Sequence, residues 1–186
     1  MPHRIVAATL AALSLALSAC STGPEDSEPV TLPSAPATLS ISSSEFPEGG
    51  TIPSRFTCDG TGVSPPLTWS ESQSAEEYVL LVTDPDAPGG RFVHWVIYAI
   101  PSNAESIGAG QGPSGAKQGA NDAGGTGYAG PCPPQGDPPH RYVFTMYALS
   151  SARTRGIPAG ASADAVLRAI ECCVQEQGTL TGTYGR

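Results

Sequence analysis

Charged side chains are scarce in this sequence: they make up 14% of its 186 residues, against roughly 25% in average usage. Basic residues are the rarer sign, with 9 Lys and Arg against 17 Asp and Glu, so the net charge is −8 at neutral pH. A protein that binds the phosphate backbone of nucleic acid needs a basic surface, so this shortage argues against a nucleic-acid partner. Helical bundles and coiled coils also need many charged helix formers, and their scarcity argues against both.

The sequence also lacks an apolar run of membrane-spanning length. Its longest, residues 5–19, has about fifteen uncharged residues, whereas a spanning helix needs roughly 20. A short apolar run after Arg4 is typical of a secretory signal. It ends in Leu17-Ser18-Ala19-Cys20, which resembles the bacterial lipobox, where a small residue precedes a cysteine that becomes the acylated N-terminus. We therefore predict a signal peptide over 1–19 and a lipid on Cys20 that anchors the protein to the cell membrane on its extracytoplasmic side.

Glycine and proline are in excess, at 22 and 19 residues. Residues 20–38 contain four of the prolines, three acids and no aromatic side chain, so we predict a disordered, lipidated tether there. Residues 39–186 are long enough for one domain with a substantial core. A chain rich in Gly and Pro with few helix signals favours strands joined by turns.

Short apolar runs with β-branched residues predict the strands. We expect core strands over 78–83, 91–100 and 140–149, a first strand over 39–43 and a last edge strand over 179–184. Period two in the second core strand places Phe92, His94, Val96 and Tyr98 on one face and Val93, Trp95 and Ile97 on the other. In the third, His140, Tyr142, Phe144 and Met146 share one face.

One helix and one long loop complete the predicted fold. The helix is expected to follow an N-cap at Ser162 and to end at Gly178. Its apolar face would consist of Val166, Ile170, Cys173 and Val174. The Gly- and Pro-rich loop over 102–139 is too long to be a simple connection, so we expect it to serve a function by delivering His140. The predicted fold class is mainly β, with one α-helix near the C-terminus.

Five segments of the domain carry a family resemblance. They are FTCDGTGVSPPLTW (56–69), TDPDAP (83–88), FVHWVIYAIP (92–101), GPCPPQGDPPHRYVF (130–144) and GTLTGTYGR (178–186). They resemble the phosphatidylethanolamine-binding protein family, and more narrowly its bacterial branch related to the Raf kinase inhibitor proteins. The resemblance covers residues 39–186. It implies an antiparallel β-sandwich with a small pocket for phosphate-like and phosphoethanolamine-like groups at one end.

Carried over by motif, the resemblance assigns this pocket to six residues: Asp84, His94, Gly130, Pro134, His140 and Tyr142. Histidine N–H and tyrosine O–H groups are suitable donors to phosphate oxygens. A neighbouring carboxylate raises the pKa of a histidine and favours the imidazolium ion. The expected function is that of a membrane-tethered binding protein for phosphate or a phospholipid head group. No enzymatic activity, catalytic residue, metal or cofactor is expected.

Two alternatives stay open at this point. Two histidines and a carboxylate are also a metal-ligand set, and Cys132 lies near His140 in the sequence, so a metal- or Cys-dependent hydrolase is one alternative. The family also contains protein inhibitors, and a surface-tethered member would encounter an extracytoplasmic protease as its target.

Four cysteines remain besides Cys20, at positions 58, 132, 172 and 173. Outside the cytoplasm an even number of cysteines usually pairs, and three pairings are possible. The family pattern places the turns containing Cys58 and Cys132 at the same end of the sandwich, which favours a disulfide between them. A bond between the neighbours Cys172 and Cys173 would be strained, so we expect a buried thiol at Cys173 and an accessible one at Cys172.

Overall fold

The structure is a computed structural model that describes Met1 and residues 30–186. Apart from Met1, the predicted signal peptide 1–19 lies outside the described residues, and so does the predicted acylation site Cys20. Within the described ranges, none of the helices has the length and apolar character needed to cross a membrane.

Two antiparallel sheets form the described domain. Its strands are β1 (Ile41–Ser42), β2 (Leu67–Trp69), β3 (Glu77–Asp84), β4 (Phe92–Pro101), β5 (Ser106–Ile107), β6 (Lys117–Gln118), β7 (His140–Leu149) and β8 (Val174–Tyr184). One sheet has the order β1-β2-β5 and the other the order β6-β4-β3-β7-β8. Neighbouring strands in both sheets run antiparallel. The predicted mainly β architecture is confirmed, and β7 has the predicted bounds.

The central strands of the larger sheet are buried on both faces. All eight residues of β3 are buried, as expected for a central strand. Between the sheets lies a core that includes Leu80, Trp95 and Phe144. A second apolar cluster, which includes Leu81, lies on the opposite face beneath the helix. The sheet is therefore a rigid platform, and the side chains at the ends of its strands are held by packing on two sides.

The face assignment predicted for β4 is wrong at the start of the strand. Thr83 pairs with Val93 and Val82 pairs with Trp95, which leaves His94 as the extra residue of a β-bulge. Because of the bulge, Val93 packs in the cluster beneath the helix. Strict alternation fails at this point, and it is the point at which β4 contributes a histidine to the site described below.

The helix α1 spans Ala163–Ile170 and begins as predicted, since the Ser162 hydroxyl accepts a hydrogen bond of 3.2 Å from the Ala165 N–H. The predicted end at Gly178 is wrong, because the chain is already in β8 from Val174 onward. Gly178 pairs with Met146 in the sheet.

Tertiary pairing explains the early end of the helix. A Cβ atom on Gly178 would collide with the carbonyl oxygen of Leu39, so this glycine permits a close strand contact and does not cap the helix. Pairing of β8 with β7 along its length outweighs the weak helical preference of a short segment. In the turn between α1 and β8, Cys172 and Cys173 form a disulfide with each other, which corrects the expectation of two free thiols.

Two predicted irregular segments contain more structure than expected. The loop over 102–139 includes β5 and β6. Residues 30–38 of the predicted tether contact the domain: the Ala35 N–H donates to Gln177 Oε1 at 3.3 Å, and the Gln177 N–H donates to the Pro36 carbonyl at 3.0 Å. The expectation of disorder is therefore wrong for these described residues of the tether.

Candidate ligand-binding pocket

A cavity of about 270 Å³ opens at one end of the larger sheet. It lies where β3 ends and where β4 and β7 begin, so three adjacent strands of the platform contribute to it. The structure brings all six residues predicted for the site to this cavity: Asp84, His94, Gly130, Pro134, His140 and Tyr142. Its remaining lining residues are Ala87, Pro88, Phe92, Ala123, Ala129, Cys132 and Pro133.

Asp84 and His140 form a buried pair at the base of the cavity. The His140 Nδ1–H donates to Asp84 Oδ2 over 2.7 Å, and each residue is about 5% exposed or less. The other carboxylate oxygen of Asp84 accepts the Asp86 N–H at 2.8 Å. Since Nδ1 is engaged by Asp84, Nε2 is the ring nitrogen of His140 that remains for a ligand.

His94 is fixed by the loop opposite β4. Its Nδ1–H donates to the Ala129 carbonyl at 2.7 Å, and the Ala129 N–H donates back to the His94 carbonyl at 2.8 Å. Burial lowers the pKa of His94 below its ordinary 6.5, although the charges of Asp84 and Asp122 act in the opposite direction. The carboxylates act in the expected direction, but the net shift of the His94 pKa is downward, because desolvation of the imidazolium ion is the larger effect.

The hydroxyl of Tyr142 is the most informative polar group in the cavity. Tyr142 is fully buried, and within the described residues its hydroxyl has no hydrogen-bond partner. Burial raises its pKa further above 10, so the group is a neutral donor at physiological pH. A buried hydroxyl without a partner is energetically unfavourable, and a ligand in the cavity would supply the missing acceptor.

A disulfide between Cys58 and Cys132 holds the rim, and the Cys58 N–H also donates to the Pro131 carbonyl at 3.0 Å. Gly130 lies against the same segment, since a Cβ there would approach the Phe56 carbonyl oxygen to 3.0 Å. The absence of a side chain at Gly130 therefore permits close contact with the chain segment next to Cys58.

An exposed ion pair flanks the buried one. Asp86 accepts hydrogen bonds from the Arg141 backbone N–H at 2.9 Å and from its guanidinium at 2.8 and 2.6 Å. These bonds lower the pKa of Asp86 to about 2. Arg141 points away from the cavity, and its partner Asp86 lies in the turn after β3.

The sequence did not predict two contributions to the cavity: the backbone carbonyl of Ala129 and the apolar ring of Phe92. The Ala129 carbonyl orients His94, but nothing in the identity of an alanine indicates such a role. The ring of Phe92 packs 4.8 Å from that of His94, centroid to centroid. A signal for Phe92 was present, since period two places it on the face of His94, but alternation alone does not separate a cavity wall from a packed core.

The model of the family described as "Phosphatidylethanolamine-binding protein" matches residues 42–185. The chain belongs to this family. The match includes every residue that lines the cavity. The family resemblance and the fold that it implies are therefore confirmed.

Relatives of this phosphatidylethanolamine-binding family member include one protein that is named as a lipoprotein and one whose name states no location. A Mycobacterium tuberculosis protein named "Putative lipoprotein LppC" is 40% identical over 98% of this chain and 96% of its own length. A "UPF0098 protein" of Methanothermobacter thermautotrophicus is 42% identical over 80% of this chain and 99% of its own.

Solved structures of the family share the fold. The homologue CT736 of Chlamydia trachomatis superposes with a TM-score of 0.74 at 34% identity, covering 80% of this chain and 97% of its own. E. coli YbcL, described as a new member of the mammalian PEBP family, gives 0.73 at 31% identity over 81% and 99%. The present chain is thus a phosphatidylethanolamine-binding family domain preceded by additional N-terminal residues.

Proposed function

We propose that the protein is a membrane-tethered, extracytoplasmic binding protein whose cavity takes phosphate or phosphoethanolamine-like groups. The observation that carries this proposal is the buried hydroxyl of Tyr142, which has no hydrogen-bond partner among residues 30–186 and lines the cavity together with two histidines. Three ring or hydroxyl groups that converge on one small space match the needs of a phosphate with several oxygens.

The size and the charge of the cavity favour a head group over a whole lipid. Its volume of about 270 Å³ lies below the roughly 300–1,000 Å³ of sites for drug-sized ligands. Asp137 lies at the rim, with its carboxylate 4.0 Å from His140 Nε2 and its side chain 43% exposed. A phosphoethanolamine group could place its phosphate between the histidines and Tyr142, and its ammonium beside Asp137.

The lipid anchor is supported by the Ser-Ala-Cys sequence that ends at Cys20 and by the lipoprotein name of the mycobacterial relative. Two or three acyl chains hold a protein on a membrane far more firmly than one. The tethered domain would then meet phospholipid head groups at high local concentration.

Binding chemistry is favoured over the two hydrolase alternatives. Cys132 is in a disulfide, so it offers no thiolate nucleophile in this state. Among residues 30–186, no group of three His, Cys, Asp or Glu side chains is arranged to hold a metal ion. Neither alternative therefore has a specific observation in its favour.

The proposal is tested with Tyr142→Phe, which removes one oxygen and leaves the ring in place. We expect the native protein to bind phosphoethanolamine with a Kd in the micromolar to millimolar range. Loss of one hydrogen bond to a charged ligand should weaken binding by about tenfold or more in calorimetry. The matched control is Tyr147→Phe, a buried tyrosine of the same strand on the helix-bearing face. No binding by the native protein, or equal loss in both variants, would contradict the proposal.

Binding is expected to depend on pH through His94. Because His94 Nδ1 donates to Ala129, Nε2 can donate to a phosphate only when the ring is protonated, and burial disfavours that form. The affinity should therefore fall as pH rises above the His94 pKa, by up to tenfold per unit.

The pH dependence is best measured with glycerophosphoethanolamine, whose phosphodiester does not titrate near neutral pH. In His94→Gln the dependence should flatten, since the titrating ring is absent. A variant that keeps the native pH profile would assign the proton uptake to another group, with His140 the next to examine.

A further inference from the structure

Residues 30–38 form a strap that wraps around the edge of the larger sheet. Its downstream end is attached to β8: the Thr38 hydroxyl donates to Glu176 Oε2 at 2.7 Å. In the backbone, the Gln177 N–H donates to the Pro36 carbonyl and the Leu39 N–H donates to the Gln177 carbonyl. Hydrogen bonds from Ser72 and from Thr38 hold the pKa of Glu176 below its usual value. This end of the strap is thus fixed by one charged acceptor and by main-chain pairing.

The upstream end of the strap lies on the helix-bearing face. Val30 packs against the apolar cluster beneath α1. Its carbonyl accepts a hydrogen bond of 3.2 Å from the Arg91 guanidinium, which also contacts Asp164 at 3.0 Å. Arg91 directly precedes Phe92, a residue of the cavity wall. The strap therefore carries the chain from the middle of β8 to the end of the sheet where the cavity opens.

The docked strap changes where the tether leaves the domain. Without the docked strap, the chain would leave the domain at Leu39, which is hydrogen-bonded to Gln177 of β8. Gln177 pairs with Tyr147 of β7, and Tyr147 lies seven residues along that strand from His140 at the cavity. Seven strand residues correspond to about 23 Å. With the strap docked, the chain instead leaves near Arg91, and nine residues separate Val30 from Cys20. The ten residue-to-residue steps from Cys20 to Val30 can span at most about 35 Å.

We propose that the strap points the cavity toward the membrane that carries the lipid on Cys20, so that its ligands are phosphoethanolamine head groups of that same membrane. This inference rests on the proposed function. It adds the source of the ligand, since the same chemistry could also be offered by a free phosphate ester in solution.

The charges at the cavity end are compatible with a bilayer surface. Arg141 neutralises Asp86, Arg91 faces Asp164, and Arg186 contacts Asp59 at 3.1 Å. The acids of this end are therefore partly compensated, although the chain as a whole carries −8. An anionic surface repels a compensated face less than the net charge alone would suggest.

The orientation is tested on the full-length lipidated protein in phosphatidylethanolamine vesicles that contain an acceptor dye at the head-group level. A donor dye is attached through an unnatural amino acid, which leaves the cysteines intact, either at exposed Gln135 on the rim or at exposed Asn103 beyond the far end of β4. Energy transfer from position 135 should be at least twice that from position 103. Equal transfer, or stronger transfer from position 103, would overturn the proposal. Cys20→Ala protein should show no stable transfer from either position.

Releasing the strap should remove the difference between the two dye positions. In Val30→Asp/Thr38→Val both side-chain attachments are weakened, and the free tether would lengthen by up to six residues, 30–35, as far as the main-chain pairing of Pro36 with Gln177. The matched control is Leu32→Asp, which adds the same charge at a strap residue that is 37% exposed. We expect the control to retain the native twofold difference. Retention of that difference in the released variant as well would overturn a role for the strap.

The source of the ligand is tested by competition. For the native protein, the apparent Kd for soluble glycerophosphoethanolamine should rise at least threefold on phosphatidylethanolamine vesicles relative to phosphatidylcholine vesicles. An equal Kd on both kinds of vesicle would favour a free phosphate ester and overturn the proposal.

In detergent, native and released proteins should bind the soluble probe equally. If the native protein bound no soluble probe in detergent but energy transfer still differed between positions 135 and 103, only the proposed function would be contradicted. If it bound the probe but energy transfer did not differ between the two positions, only the proposed orientation would be contradicted.

Discussion

Replacing both Cys58 and Cys132 with alanine is expected to lower the free energy of unfolding by about 4 kcal/mol. The two cysteines are separated by 74 positions, and a crosslink that closes a loop of this length removes much of the entropy of the unfolded chain. The loop encloses β2 to β6 and most of the residues of the cavity. Equilibrium denaturation in guanidinium chloride of the native and the doubly substituted protein measures the difference.

The chain offers an internal control for this effect. The Cys172–Cys173 disulfide joins adjacent residues, so it closes no long loop and removes little entropy from the unfolded state. The Cys172→Ala/Cys173→Ala protein should therefore unfold near the native midpoint. A loss as large as that of the Cys58/Cys132 variant would show that loop closure is not the source of the stabilisation.

The same disulfide should also matter for binding, because Cys132 lines the cavity. The rim segment that follows it contains Pro133 and Pro134, which restrict the backbone, but prolines alone do not fix the segment relative to the sheet. Contacts with the segment at Cys58 provide that attachment. The Cys58–Cys132 disulfide thus affects both the position of the cavity rim and the stability of the fold.

The strands were predictable because their physical signal is local. Apolar runs over 78–83 and 140–149 identify β3 and β7, and the residues that must be buried are visible in the run itself. The end of α1 was not predictable in this way. Gly178 is typical of a helix terminus, and only the position of Leu39, which is 139 residues away in the chain, shows that this glycine is needed for strand packing.

The site was predictable in its residues but not in its electrostatics. The motifs identify His94 and His140 as neighbours, yet the sequence does not reveal the β-bulge at His94 or the carbonyl of Ala129 that engages its Nδ1. It also does not reveal how deeply the ring is buried. Desolvation depends on every element packed around a group, so the direction of the His94 pKa shift became apparent only from the assembled fold.

The second large effect is expected at the buried Asp84–His140 pair. Asp84 and His140 are each about 5% exposed or less, and they are 2.7 Å apart. Truncating one partner leaves a buried polar group without its hydrogen bond, so His140→Ala or Asp84→Ala should each lower the free energy of unfolding by about 3 kcal/mol. His140→Ala should also weaken phosphoethanolamine binding by at least tenfold, because an imidazole that lines the cavity is removed.

A double-mutant cycle separates the interaction from the general cost of truncation. The doubly substituted Asp84→Ala/His140→Ala protein should be less destabilised than the sum of the single variants, by about 1 kcal/mol or more, because neither side chain of the pair is left buried without the other. The equivalent cycle on Asp86 and Arg141 is the control. These two residues lie two positions after Asp84 and one position after His140, so they join the same two segments of the chain, but their ion pair lies at the surface. Solvent screens that pair, so its cycle should give a much smaller coupling. Additive losses at Asp84 and His140 in urea denaturation would mean that the pair is not energetically coupled. The cavity would then owe the position of His140 to packing of β7 alone.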